Sequence, residues 1–314
     1  MKSIVTLTMN PTIDAGFQVQ HMHATHKQRT LAERYAPGGG GINVARVFVR
    51  LGGNARCCYL SGGATGPALD GLLDMHQLVR TRIPIAGDTR IAVNTFERDT
   101  GKEYRIVPAG PVVSEAEWQA CIDAMATLPC DILVASGSLP PGVPADFFAR
   151  IAASSKQRGI PVVLDTSGNA LQQGLAAGGF WLVKPSLDEL SHVAGRELEA
   201  NEDIAAAAMD IIAAGHAELV AVTLGSRGAL LARKEGPLFL PALKIEALSA
   251  VGAGDSFLAA MLYKLAGGSD AEEGFRYGMA GGAAAVLDPG TDLAHPDDIE
   301  RLFPLVEKGG VRTF

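Results

Sequence analysis

Several features that would place a chain in a large functional class are missing from this sequence. Its 314 residues carry a net charge of −7. There is no basic stripe of the kind a nucleic-acid surface needs, so no nucleic-acid partner is expected. The global sign does not forbid an anionic substrate, because a local Arg/Lys pocket can overrule it. No uncharged apolar run approaches the length of a bilayer span, so no membrane partner is expected either. The run from Met1 to Met9 has a single lysine and is stopped by Asn10-Pro11, too early for a secretory signal. Only four cysteines occur, Cys57, Cys58, Cys121 and Cys130, and none forms a C-x-x-C pair. That argues against a metal site and for buried, reduced thiols in a cytoplasmic protein. Two nucleotide signatures are absent as well. No G-x-G-x-x-G follows the first predicted strand, and no G-x-x-x-x-G-K-[ST] occurs anywhere. Internal repeats, low-complexity tracts and long linkers are missing too.

What remains is a globular composition, with 47% hydrophobic and 19% charged residues. The 37 glycines are too many for helices and strands alone and imply tight turns or ligand loops. The spacing predicts a strand over 3–9, closed by Asn10-Pro11-Thr12. Short strands at 17–19 and 31–35 belong to a small separate sheet. His21, His23 and His26 between them fit no standard metal spacing and read as a solvated loop. Pro37-Gly38-Gly39-Gly40-Gly41 runs into a helix over 42–51, stopped by Gly52-Gly53. Asn43, Arg46 and Arg50 share one stripe of that helix and the rest is apolar, so it is buried on most sides. A strand follows at 55–60. Segments 90–96 and 103–107 form a hairpin around Thr100-Gly101.

From Ser114 onward helix and strand alternate. Helices at 114–128, 145–157, 186–194 and 202–214 are interleaved with strands at 131–135, 161–165, 181–183 and 219–223. A hairpin at 229–233 and 237–241 precedes two or three closing helices. Such alternation argues for an α/β fold with a mainly parallel sheet between helices. Glycine-rich turns and acids recur just after the predicted strands, where ligands sit in such sheets. Asp14 has two readings there, a turn residue or a ligand-facing carboxylate.

One stretch is denser in chemistry than the others: Val251-Gly252-Ala253-Gly254-Asp255-Ser256-Phe257. Small residues before an apolar helix expose backbone N–H groups at a helix start, which suits a phosphate. Asp255 adds a proton acceptor at the edge of that cradle. By itself it reads first as an acid favoured by the first turn of a helix, ahead of a catalytic role.

Taken together, NPTID (10–14), PGGGGINVAR (37–46), SGSLPPG (136–142), VKPSLDEL (183–190), TLGSRG (223–228) and SAVGAGDSF (249–257) resemble, in order, the motifs of the ribokinase-like (PfkB) sugar kinases. The resemblance covers nearly the whole chain, and within the family it is to the bacterial 6-phosphofructokinases. It implies one kinase domain over 1–314, with a central mostly parallel sheet between helices and a small β-sheet lid from about 12–36 and 88–109. It implies ATP, magnesium and a sugar phosphate as ligands, and a homodimer formed through the lid.

The resemblance also implies residue roles. Asp255 matches the catalytic base, and Gly252, Ala253 and Gly254 match the turn that holds the ATP phosphates. Asp14, Gly38, Gly39, Asn43 and Ser138 match sugar positions. Lys27, Arg90 and Arg105 match positions that meet the substrate phosphate. Lys184, Ser186, Glu189, Thr223, Gly225 and Gly228 match nucleotide positions, with Glu189 orienting magnesium through water. Ser249, Val251, Ala285, Asp288 and Gly290 match a monovalent-cation site, for K+. Outside that order of motifs, Lys27 and Arg90 read as surface cations and Glu189 as a solvated helix acid.

Phosphoryl transfer rests mainly on positioning and charge stabilisation, with one carboxylate to take the proton of the attacking hydroxyl. Gly40 stands where 1-phosphofructokinases and tagatose-6-phosphate kinases usually carry lysine. That favours fructose 6-phosphate, phosphorylated at its 1-hydroxyl; those two activities are the alternatives. Two departures stand out: Ser186 where relatives usually have asparagine, and Asp292 where a basic residue is expected. Ser186 is the sole support for a third reading, a sugar- or nucleotide-binding regulator without catalysis.

Overall fold

The first strand, β1 (Ile4–Thr8), is buried along its whole length. A strand covered on both faces has to be apolar throughout, and IVTLT nearly is. The structure is a computed structural model that describes residues 1–287, 292–308 and 312–313. After β1 the chain makes β2 (Thr12–Val19), β3 (Ala32–Gly38), α1 (Gly40–Arg50), β4 (Ala55–Gly62), α2 (Gly66–Met75) and β5 (Val79–Ile85). A hairpin, β6 (Arg90–Glu97) and β7 (Lys102–Ile106), leads to α3 (Glu115–Thr127). Strand and helix then alternate through β8 (Ile132–Ser136), α4 (Phe147–Gln157), β9 (Val162–Asp165), α5 (Gly168–Ala177) and β10 (Phe180–Val183), after which two helices, α6 (Leu187–Ala194) and α7 (Asn201–Ala213), precede β11 (Ala217–Thr223). The chain closes with β12 (Gly228–Arg233), β13 (Gly236–Pro241), α8 (Ala253–Gly267), α9 (Ala271–Ala285), α10 (Pro296–Lys308) and β14 (Arg312–Thr313).

Ten strands form the large sheet in the order β14-β13-β12-β11-β10-β9-β8-β1-β4-β5. It is parallel from β5 to β11 and antiparallel from β11 to β14. Period-two alternation sends neighbouring residues to opposite faces. Ile132 and Val134 pack under α1, α2, α8, α9 and α10; Leu133 and Ala135 pack under α3 to α7. This is the predicted three-layer α/β arrangement. From β1 the chain extends one way to β4 and β5 and the other way to β8, β9 and β10. The carboxyl ends at that reversal are where such sheets bind ligands.

The small sheet, β3-β2-β6-β7, is separate. It is mixed: β2 pairs antiparallel with β3 and parallel with β6, and β6 pairs antiparallel with β7. It runs two residues beyond the predicted boundary, to Gly38. The predicted turn after Pro11 is also shorter than expected, so Asp14 lies inside β2 and not in a loop. Thr-Ile-Asp-Ala-Gly has weak strand propensity, but pairing on both sides decides the backbone there.

Besides the two-residue β14, three elements have no counterpart among those that the sequence pattern predicts. α2 and α5 each start and continue on glycine, a poor helix former. β5, VRTRIPI, carries a proline and two arginines, which suits a sheet edge and hides a strand from pattern reading. Cys57, Cys58 and Cys121 are buried free thiols, and Cys130 is half-buried. Among the described residues no helix is long and apolar enough to cross a membrane.

Candidate active site

α8 begins with no side-chain cap. Its N-cap is Gly252, held in the left-handed region at φ 73° and ψ 4°. A Cβ there would sit 2.3 Å from Leu293 Cδ2, so both conformation and space demand glycine. Ala253, Gly254 and Asp255 form the first turn. The N–H groups and positive end of the helix therefore face the cleft between the two sheets, an arrangement suited to an anion.

Asp255 accepts a 2.8 Å hydrogen bond from Asn43 Nδ2, on α1. Burial and then the charge of Asp165 raise its pKa to about 6, against the opposing effects of Asn43 and Lys184. Asp14 faces the same cleft from β2. Its pKa is also raised to about 6, by burial, with Arg105, Arg46 and Arg90 pulling the other way. Gly38 makes room for it: a Cβ at 38 would lie 2.1 Å from Asp14 Oδ2.

Asp14, Gly39, Asn43, Arg90, Arg105, Ser138, Glu189, Val251, Gly252 and Asp255, all predicted, line one cleft of about 320 Å³. Arg90 gives Nη2 to Asn10 O at 2.7 Å, Nη1 to Pro108 O at 2.9 Å and Nε to Pro11 O at 3.4 Å. Each terminal nitrogen keeps one further N–H for a ligand. Arg90 thus also braces the linkers that join the small sheet to the large one. Lys27 lies elsewhere: it is exposed on the loop between β2 and β3 and does not line the cleft.

The other flank is built by β10 and β11. Lys184 Nζ pairs with Asp165 Oδ1 at 3.0 Å, and both side chains are largely buried. Burial opposes the lysine charge, but Asp165, Asp255 and Glu189 outweigh it, so its pKa is raised and it stays cationic. Ser186 caps α6. Its Oγ accepts from the Glu189 N–H at 3.3 Å while Glu189 Oε2 accepts from the Ser186 N–H at 2.8 Å. The serine that departs from the expected asparagine therefore has a helix-capping role. A bridge joins Ser186 to Thr223, and Gly225 and Gly228, both at positive φ, turn the chain beyond it. Ser249 Oγ accepts from the Val251 N–H, and Leu248 N–H reaches Val286 O beside Ala285. The remaining predicted cation positions, Asp288 and Gly290, lie outside the described residues.

Three further residues join the predicted ones. Asp165, the last residue of β9, faces the cleft. Its position at the carboxyl end of a predicted strand is the sequence signal for it. Asn10 orients Ser138 through Nδ2, at 3.2 Å from its Oγ. Arg46 is buried beside Asn43. Asp292, the second departure, accepts from both terminal nitrogens of Arg34 at 2.8 Å each; its main-chain oxygen accepts from Arg50 Nη1 at 2.8 Å, and Arg50 Nη2 lies 3.7 Å from its carboxylate. It ties the small sheet to the large one. Among the described residues no three His, Cys, Asp or Glu side chains cluster as a metal site.

The profile of the pfkB family carbohydrate kinases matches residues 8–298. The chain belongs to that family. An ATP-dependent 6-phosphofructokinase isozyme 2 of Mycobacterium tuberculosis is 42% identical over 304 residues, covering 96% of this chain and 89% of the relative. A 1-phosphofructokinase of Bacillus subtilis is 32% identical over 305 residues, covering 97% and 98%. The crystal structure of Escherichia coli phosphofructokinase-2 in complex with fructose-6-phosphate superposes with a TM-score of 0.92 at 35% identity, covering 98% of this chain and 100% of that one. This pfkB kinase therefore has the ribokinase-like fold that its motifs implied, and its activity is that of a sugar-phosphate kinase.

Proposed function

We propose that this kinase transfers the γ-phosphoryl group of ATP to the 1-hydroxyl of fructose 6-phosphate. The observation that carries the reading is the convergence of Asp14, Asn43 and Asp255 on one cleft beside the uncapped start of α8. In this reading Asp14 and the backbone at Gly38 and Gly39 hold the sugar hydroxyls. Arg90 and Arg105 receive the 6-phosphate, a charge-assisted contact that suits a phosphorylated sugar better than a free one. Asp255, ionised above its raised pKa, takes the proton of the attacking hydroxyl. The N–H groups of the 252–255 turn and the Lys184 ammonium stabilise charge on the transferred group.

Magnesium fits the residues present. Glu189 keeps Oε1 after the capping bond takes Oε2, and Asp165 supplies a further hard oxygen toward the cleft. Bound with ATP, the ion would neutralise phosphate charge. A monovalent cation, K+, is supported only by the convergence of Ser249 and Val251 with the segment that follows Ala285.

Gly40 favours fructose 6-phosphate over the 1-phosphofructokinase and tagatose-6-phosphate kinase readings. A Cβ there would lie 2.2 Å from Ser136 Oγ and 3.0 Å from Gly137 N, so this cleft has no place for the lysine those enzymes carry. The small sheet acts as the lid of a single kinase domain over 1–314. Its outer residues Leu31, Tyr35, Ile91 and Ile106 are exposed, and a second copy of the chain is the partner that would cover them.

A panel of fructose 6-phosphate, fructose 1-phosphate, tagatose 6-phosphate and free fructose tests the assignment. The highest kcat/KM is expected on fructose 6-phosphate, and a higher value on any other sugar overturns it. Sedimentation of the wild type at low concentration tests the dimer.

A further inference from the structure

Arg46 carries a charge where charge is costly. It lies within α1 and is 2% exposed. Its Nη1 donates to Pro37 O at 3.0 Å and to Asn43 Oδ1 at 3.3 Å, while Nε and Nη2 are buried with no partner among the described residues. The charged groups that face it are Arg50 on its own helix, Asp14 from β2, Arg34 from β3, and Asp292. Burial lowers its pKa to about 10, which still leaves it cationic at neutral pH. A group held at such cost needs a use.

Asn43 stands between Arg46 and Asp255. A guanidinium can only donate, and an ionised carboxylate can only accept. A carboxamide between the two satisfies both in one orientation alone: oxygen toward Arg46, nitrogen toward Asp255. That is the orientation present. Without Arg46 the amide is free to turn. Its oxygen would then face the carboxylate, and the donor that favours the ionised base would be lost.

We propose that Arg46 is a positioning residue for phosphoryl transfer: it locks the Asn43 carboxamide so that an N–H always faces Asp255 and keeps the base ready to accept a proton. This rests on Asp255 being the base. Besides Asn43, Asp255 faces Asp165, Lys184 and Asp14, and Asp14 in turn faces Arg105, Arg46 and Arg90. A relay through Asn43 therefore has to be separated from a direct effect of the Arg46 charge.

The test is the pH dependence of kcat on the preferred sugar phosphate for wild type, Arg46→Met, Asn43→Ala and the double variant. Arg46→Met is expected to move the acid limb upward by about half to one pH unit, lowering kcat at pH 6 by roughly 2–5-fold. In the Asn43→Ala background the same change should add no further shift, because the relay is already cut. An unmoved acid limb in folded Arg46→Met, whatever its thermal stability, overturns the proposal. So does a shift of full size that persists in the double variant, since the charge would then act directly. If Arg46→Met does not fold, Arg46→Lys decides: a smaller shift in the same sense, absent with Asn43→Ala, supports the relay, and an unmoved limb rejects it. Equal kcat for wild type and Asp255→Asn would instead remove the base itself, an outcome distinct from any of these.

Discussion

Lys184 and Asp165 meet across adjacent parallel strands, with Nζ 3.0 Å from Oδ1 at the ends of β10 and β9. The pair lies against the start of α8: a Cβ on Gly254 would come 3.3 Å from Lys184 Nζ. One ammonium thus serves three carboxylates, those of Asp165, Asp255 and Glu189. Replacing it by an isosteric apolar side chain leaves like charges facing each other with no counter-ion. Lys184→Met is expected to raise the Asp255 pKa further and move the acid limb of kcat upward, with a loss of stability of about 3 kcal/mol, as for other broken buried pairs. pH–rate profiles and denaturant unfolding check both. An unshifted limb would show that the lysine does not govern the ionisation of Asp255.

Removal of the base itself is the most direct test of mechanism. Asp255→Asn keeps the size of the side chain and loses the proton acceptor. The expected fall in kcat is about 10²–10⁴-fold, with the fold intact by circular dichroism. Wild-type turnover in the folded variant would reject the role.

The pH dependence of stability has an unusual sign at this site. Asp14 and Asp255 have folded pKa values of about 6, above their ordinary value of 3.8. Between those values the folded protein binds more protons than the unfolded chain. These groups therefore favour folding most at the acid end of the window, and that contribution is lost as pH rises through about 6. Activity is expected to run in the opposite direction, because the proposed base has to be ionised. Asp255→Asn removes the buried charge, so its melting temperature relative to wild type should be higher at pH 8 than at pH 5. A difference that does not change with pH would contradict the raised pKa.

The turn at Gly252 admits no side chain. Gly252→Ala adds a Cβ against Leu293 and strains a φ of 73°. The expected cost is about 1–3 kcal/mol of stability. Turnover should fall more than the affinity for the sugar phosphate does, since the N–H groups proposed to hold the ATP phosphates move. Calorimetry and steady-state kinetics with each substrate varied separate the two effects.

The tie between the sheets is testable apart from catalysis. Asp292→Ala removes the paired contacts with Arg34 and one with Arg50. Half of the Arg34 side chain is exposed, so the loss should be modest, about 1 kcal/mol in urea unfolding. No change in unfolding would show that the contact does not brace the small sheet.

The backbone features of this site are local, and residues adjacent in sequence encode them. A glycine at a left-handed position, a helix start behind it and an acid in its first turn occupy consecutive residues, so Gly252 to Asp255 could be read directly. The same holds for the alternation of strand and helix that makes the large sheet. Charge pairing is different. Asn43 and Asp255 are 212 residues apart, and their bond exists only because α1 and α8 pack on the same face of the sheet. Strand register brings Asp165 under Lys184. The packing of α1 against the small sheet buries Arg46, and the linkers to that sheet draw Arg90 onto backbone carbonyls. Lys27 shows the converse: a motif position placed it with the substrate, while its loop leaves it outside the cleft. Composition and motif order thus determined the family and the fold and marked Asp255 as the proposed base. Which groups orient and charge that base was decided by tertiary structure, because hydrogen-bond partners and burial depend on distances that no sequence spacing sets.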